Sequence, residues 1–109
     1  MNRYVRSALA GIAVLSLIGS PAMARDVEHS KELARKCSVC HGKQGIARDP
    51  EVPNLAGQSS LYLEKSLKAF RSGEREDRRM TIIVRKLSDD DIRDLAEWFS
   101  TFVITVERP

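Results

Sequence analysis

Five consecutive residues constrain this chain of 109 more than any other feature: Cys37-Ser38-Val39-Cys40-His41. They contain both of its cysteines, so no multi-disulfide framework staples the fold. A chain of this length supports one small domain. With only 6 glycines and 4 prolines it is not collagen-like, and 42% hydrophobic residues argue against bulk disorder. The formal charge of +3 invites a nucleic-acid or anionic-membrane partner, depending on where the charges lie.

Some of that charge belongs to a segment outside the fold. Arg3 and Arg6 lead an apolar run of eleven residues from Ala8 to Ile18, and Gly19 and Pro21 then break any helix. Ala22-Met23-Ala24 places small residues where a signal peptidase reads. The competing readings are a buried N-terminal helix and a membrane anchor, but the run falls well short of the ~20 apolar residues a span requires. Residues 1–24 are expected to be a cleavable signal peptide. The mature domain, residues 25–109, then has 16 basic and 15 acidic groups, a net charge of +1. This removes the case for nucleic acid and predicts a periplasmic protein without a membrane span in its mature form.

Hydrophobic spacing in the mature chain is helical. Asp26 to Val39 reads as a helix capped by Asp26, with Val27, Leu33, Ala34 and Cys37 near one face. Gly42, Gly45, Pro50 and Pro53 punctuate a long loop from His41 to Gln58. Ser59 is positioned to cap a second helix ending at Ser72, where Gly73 stops it, and Leu63, Leu67 and Phe70 form its stripe. Thr81 to Leu87 fits a short helix or an extended turn equally. Ser88-x-x-Asp91 has capping-box spacing and opens a helix from Asp89 to Phe102, with Ile92, Leu95, Ala96, Phe99 and Phe102 inward. The fold class is therefore all-α, three or four short helices joined by long loops. Five aromatics, Tyr62, Phe70, Trp98, Phe99 and Phe102, make a thin core for such a chain.

C-x-x-C-H is the attachment signature of c-type haem. Two thiols three positions apart can form thioethers to the two vinyl groups of one haem, and the following His41 can supply an axial nitrogen. Pro53 offers a carbonyl on a rigid turn that can orient such a histidine, or it is loop punctuation alone. A thioredoxin-like dithiol would expect a βαβ context, which is absent, and a closed zinc site needs four ligands. Methionine occurs at 1, 23 and 80, so Met80 is the only thioether of the mature chain. It lies in a polar stretch between helices, which suits a sixth ligand better than a gap-filling core residue. His29 is a rival ligand, though its helix feeds the proximal side, and lysine ligation stays open.

With these segments the chain resembles the class I c-type cytochromes, and most closely the small bacterial ones. The residues that carry the resemblance are Cys37 to Gly42, Pro53-Asn54-Leu55-Ala56-Gly57-Gln58, Tyr62 to Gly73, Met80, Leu87 to Ile92 and Leu95 to Phe99. The resemblance implies a cytochrome c fold in which the first and last helices cross around one covalent haem. It also implies haem attachment at Cys37 and Cys40, axial ligation by His41 and Met80, and acceptance of a His41 hydrogen bond by the Pro53 carbonyl. Where the family often has a glycine and an aromatic at the helix crossing, this chain has His29-Ser30-Lys31-Glu32-Leu33.

An iron with both axial positions filled suits one-electron transfer and not substrate chemistry, so no catalysis by the polypeptide is expected. Two versions are open: a diffusible carrier, or the haem subunit of a periplasmic dehydrogenase such as a flavocytochrome. A haem-based gas binder or sensor is the reading from another class. The partners are a redox donor and a redox acceptor. Arg71, Arg75, Arg78, Arg79, Arg85 and Lys86 surround Met80, beside the acidic Asp89, Asp90, Asp91, Asp94 and Glu97. Such opposed patches suit oriented docking, or are ordinary solvated faces. The apolar tail Val103-Ile104-Thr105-Val106 is expected to pack on its own domain.

Overall fold

The computed structural model describes residues 26–109. The expected signal peptide, residues 1–24, lies outside the described residues. Four helices follow in order: α1 Val27–His41, α2 Ser60–Ser72, α3 Met80–Val84 and α4 Asp89–Ser100. Among the described residues there is no strand.

The starts of α1, α2 and α4 are set by side-chain caps. Asp26 accepts from the backbone N–H groups of Glu28 and His29 at 3.0 and 3.3 Å. Ser59 accepts from Tyr62 N–H at 3.1 Å. Ser88 and Asp91 form the expected capping box: Asp91 N–H donates to Ser88 Oγ at 3.0 Å, and Ser88 N–H donates to Asp91 Oδ2 at 2.9 Å. Each such cap satisfies backbone donors that a helix start leaves without partners, typically for about 1 kcal/mol. Gly73 ends α2 in the left-handed conformation. The ambiguous stretch after Met80 resolves as the five-residue α3.

Two helix ends differ from the sequence-based expectation. α1 continues past Val39 to His41, because nothing interrupts its hydrogen bonding until Gly42, whose N–H still donates to Ser38 C=O at 3.0 Å. α4 stops at Ser100, where Thr101 folds its hydroxyl back onto the Trp98 carbonyl at 2.7 Å. Phe102 lies beyond the helix but keeps its inward role. Its ring meets Trp98 edge-on, 5.9 Å between centroids.

The core lies where α4 packs on α1 and α2. Ala34, Leu63, Leu95, Ala96 and Phe99 form its buried cluster, with Leu33, Cys37, Leu67 and Trp98 packed at the margin. Ser30 and Ala34, one helical turn apart, are buried small residues that let α1 approach its neighbour closely. His29 beside them completes the crossing from outside, its Nε2 lying 3.2 Å from Asp91 Oδ1. Val27, expected on the inner face, is instead 63% exposed. It occupies the first position of α1, a turn short of the buried stretch that begins at Ser30.

Leu95 is 2% exposed, and Leu95→Ala is expected to destabilise the folded protein by about 2–5 kcal/mol, read by denaturant titration. Acid should act at the crossing. Backbone donation from Ser88, and then the Ser88 and His29 side chains, hold the Asp91 carboxyl below its ordinary value of 3.8. A depressed carboxylate stabilises the fold fully above that ordinary value and loses the effect as pH falls through the folded-state value. Thermal melts from pH 7 downward should therefore stay level for this contribution and then drop below about pH 4. Asp91→Asn should show a shallower acid drop.

Candidate functional site

α1 delivers three chemically useful side chains to one place. Cys37, Cys40 and His41 stand at i, i+3 and i+4, which share a helix face. All three line one cleft, together with Pro53 and Met80. Its walls are largely apolar, with Leu67 and Phe70 from α2 and Leu95 and Phe99 from α4.

Cys37 and Cys40 form no disulfide with each other. Burial pushes the Cys37 thiol up to about 11, against smaller opposing effects of a backbone hydrogen bond and of Lys36. The described residues hold no strand, so the βαβ setting of a thioredoxin-like dithiol is not present among them. No group of three or more His, Cys, Asp or Glu residues among those described can hold a metal ion, so a closed zinc site is not present there either.

His41 is buried, and its Nδ1 lies 2.8 Å from the Pro53 carbonyl oxygen. A carbonyl can only accept, so the proton of this bond resides on Nδ1. In the neutral ring the lone pair is then on Nε2, which has no hydrogen-bond partner among the described residues. A buried imidazole with one nitrogen tied to backbone and the other left as a donor fits a metal ligand.

The loop that carries Pro53 is stapled in several places. Gly45 C=O accepts from Leu55 and Ala56 N–H at 2.7 and 3.1 Å, and Asn54 Oδ1 accepts from Ala47 N–H at 2.8 Å. Gly57 N–H donates to Phe99 C=O at 3.0 Å, which ties the loop to α4. The turn out of α1 depends on Gly42, with φ +82° and ψ 154°. A Cβ there would stand 2.0 Å from the Ile46 carbonyl oxygen. Both the backbone conformation and the space demand glycine.

Met80 opens α3, half-buried at the cleft. Its N–H and that of Arg79 are both accepted by Asp77 Oδ1 at 2.8 Å. These two donors, Met80 first, hold the Asp77 carboxyl below its ordinary range. Sequence reasoning missed Asp77, although an Asp in a polar stretch between helices, able to accept from backbone N–H groups two residues on, is a recognisable turn signal. It named Arg71 only as part of the basic cluster, whereas Arg71 donates to Leu87 C=O at 2.9 Å and pairs with Asp89. Arg71 lowers the Asp89 carboxyl, by its hydrogen bond and by its charge. The basic cluster and the acidic helix start therefore meet at this pair. Arg75 lies over the Phe70 ring at 4.4 Å. His29, the rival ligand, is engaged with Asp91 and is not among the cleft-lining residues.

The donor set therefore fits a c-type haem: two free thiols at helical spacing, an oriented imidazole, a thioether and apolar walls. The sequence pattern of the family described as Cytochrome c matches residues 27–102. The chain is 41% identical over 81 residues to cytochrome c-554(548) of Halomonas halodenitrificans, covering 72% of this chain and 98% of that protein. It is 40% identical over 68 residues to a thiosulfate dehydrogenase electron acceptor of Stutzerimonas stutzeri, covering 60% of this chain and 32% of that one. Among solved structures, reduced recombinant cytochrome c4 from Pseudomonas stutzeri superposes with a TM-score of 0.64 at 27% identity, over 71% of this chain and 48% of that one. The chain spans about half the length of the cytochromes c4 it matches.

Gly42→Ala should sharply lower the yield of haem-loaded protein, measured as the ratio of haem absorbance to protein absorbance. Strain of this kind alone costs about 1–3 kcal/mol, before the Ile46 collision is added.

Proposed function

The chain belongs to the cytochrome c family, and on that premise we propose that it is a periplasmic one-electron carrier whose iron is held between His41 Nε2 and the Met80 thioether. It carries one haem c, covalent through Cys37 and Cys40, and it is an electron-transfer protein, not a catalyst. When bound, the haem supplies the ferric/ferrous couple.

The observation that carries the ligand assignment is the 2.8 Å bond from His41 Nδ1 to the Pro53 carbonyl. It fixes the tautomer and the ring orientation, and leaves Nε2 as the coordinating atom. Met80 lines the same cleft from a different element. As an iron ligand, the neutral Met80 thioether would favour the ferrous state and raise the potential. The chain's own task would then be to hold His41 and Met80 still while an electron passes. The largely apolar walls would lie against the haem and limit reorganisation.

A signal peptide at residues 1–24 would deliver the chain to the periplasm. No helix among the described residues is long and apolar enough to cross a membrane.

A second reading, haem subunit or dedicated acceptor of a dehydrogenase, is favoured by one observation: a relative bears the name thiosulfate dehydrogenase electron acceptor. Size exclusion of native extract separates the two. Migration only as a small monomer counts against a stable partner.

The ferric holoprotein is expected to show the weak far-red band of a methionine–iron bond. Met80→Ala should abolish that band and let the ferrous form bind CO. A wild-type protein that lacks the band and binds CO readily would replace the carrier reading with a gas-binding one.

A further inference from the structure

α3 is too short to persist by its own hydrogen bonds, because nucleating a helical turn costs more than one turn returns. The segment from Gly73 to Leu87 also buries only one hydrophobic side chain, Val84. Arg79, at the helix start, makes no side-chain cap. The turn is held instead by Asp77. Its Oδ1 accepts from the N–H groups of Arg79 and Met80, at 2.8 Å each. Its carbonyl accepts from Thr81 N–H at 3.0 Å. Its own N–H donates to Thr81 Oγ1 at 3.2 Å. One exposed residue thus bonds to Met80 and to both of its sequence neighbours.

We propose that Asp77 is a positioning residue for Met80, closing a backbone box with Thr81 that keeps the thioether directed at the iron. The proposal rests on the reading of Met80 as the sixth ligand. Its physical content is a competition. Whenever the Met80 turn opens, the thioether leaves and an added ligand can take its place. Asp77 disfavours the open turn through bonds that the open turn lacks, and one of those bonds is on Met80 itself. Asp26 provides an internal comparison, since its Oδ1 accepts from the N–H groups of Glu28 and His29 in the same pattern, at the start of α1 and outside the cleft lining.

The test is imidazole titration of the ferric holoprotein, followed by loss of the far-red band. Asp77→Ala is expected to bind imidazole about fivefold more tightly, the factor that corresponds to losing a helix cap of ordinary strength. Asp77→Asn keeps a side-chain oxygen acceptor and should return most of the way to wild type. Asp26→Ala should leave imidazole affinity unchanged. Thr81→Val, which removes only the Oγ1 bond, should shift affinity in the same direction by less. This variant supplies the answer if Asp77→Ala does not yield holoprotein, and unchanged affinity in it would then overturn the proposal. Equal affinity in Asp77→Ala and wild type overturns it, as does an equal shift in Asp26→Ala, which would mark general loosening. A far-red band in wild type with no variant effect refutes Asp77 alone. Its absence in wild type refutes the Met80 ligation and the proposal together.

Discussion

The bond between His41 Nδ1 and the Pro53 carbonyl joins the two parts of the molecule that would otherwise have little to do with each other. One is a helix with a regular hydrogen-bond pattern, the other a loop with almost none. The loop has few buried side chains of its own, so its position depends on polar staples: this bond, the Gly45 carbonyl taking two donors, and Gly57 reaching Phe99. Each staple satisfies a backbone or ring group that would otherwise be buried at a cost of about 1–3 kcal/mol. The imidazole orientation is thus a property of the whole loop, and the reactive nitrogen inherits its direction from a proline twelve residues away.

Charge is distributed by the same economy. The basic residues before Met80 and the acids that open α4 looked in the sequence like two opposed patches. The structure joins them through Arg71 and Asp89, and further acids of that turn are engaged by Arg93 and His29. Arg71 with Asp89 ties α2 to α4, His29 with Asp91 ties α1 to α4, and Arg93 with Asp90 lies within α4. Exposed pairs of this kind contribute little individually, but Arg71 also satisfies the Leu87 carbonyl at the end of the Met80 segment. The oriented-docking reading therefore has fewer free charges to draw on than the sequence suggested.

Much of this was legible in advance, for identifiable reasons. Caps and stops at Asp26, Ser59, Gly73, Ser88 and Asp91 are local, and local signals survive folding unchanged. The Cys37-to-His41 motif was readable as an attachment signature, but not the helix that carries it, which was expected to stop at Val39 and runs to His41. What stayed hidden was non-local or depended on backbone conformation. α3 could not be assigned, since its short apolar run fits two conformations and the deciding bonds come from Asp77. Val27 was misplaced because periodicity gives the face of a helix but not how far its neighbour extends. Arg71 read as surface charge because its acceptor, the Leu87 carbonyl, is sixteen positions away.

The expectation that the tail after α4 packs on its own domain is not met: Val103, Ile104 and Val106 are all exposed, and only one flank of Ile104 reaches the loop, its Cγ1 2.9 Å from where a Cβ at Gly57 would stand. The cleft loop is thus finished by residues near the end of the chain. A chain cut after Ser88 would keep both cysteines and His41 but lose Phe99, whose carbonyl holds Gly57. The attachment motif and the brace of the loop that orients its histidine thus come from opposite ends of the domain.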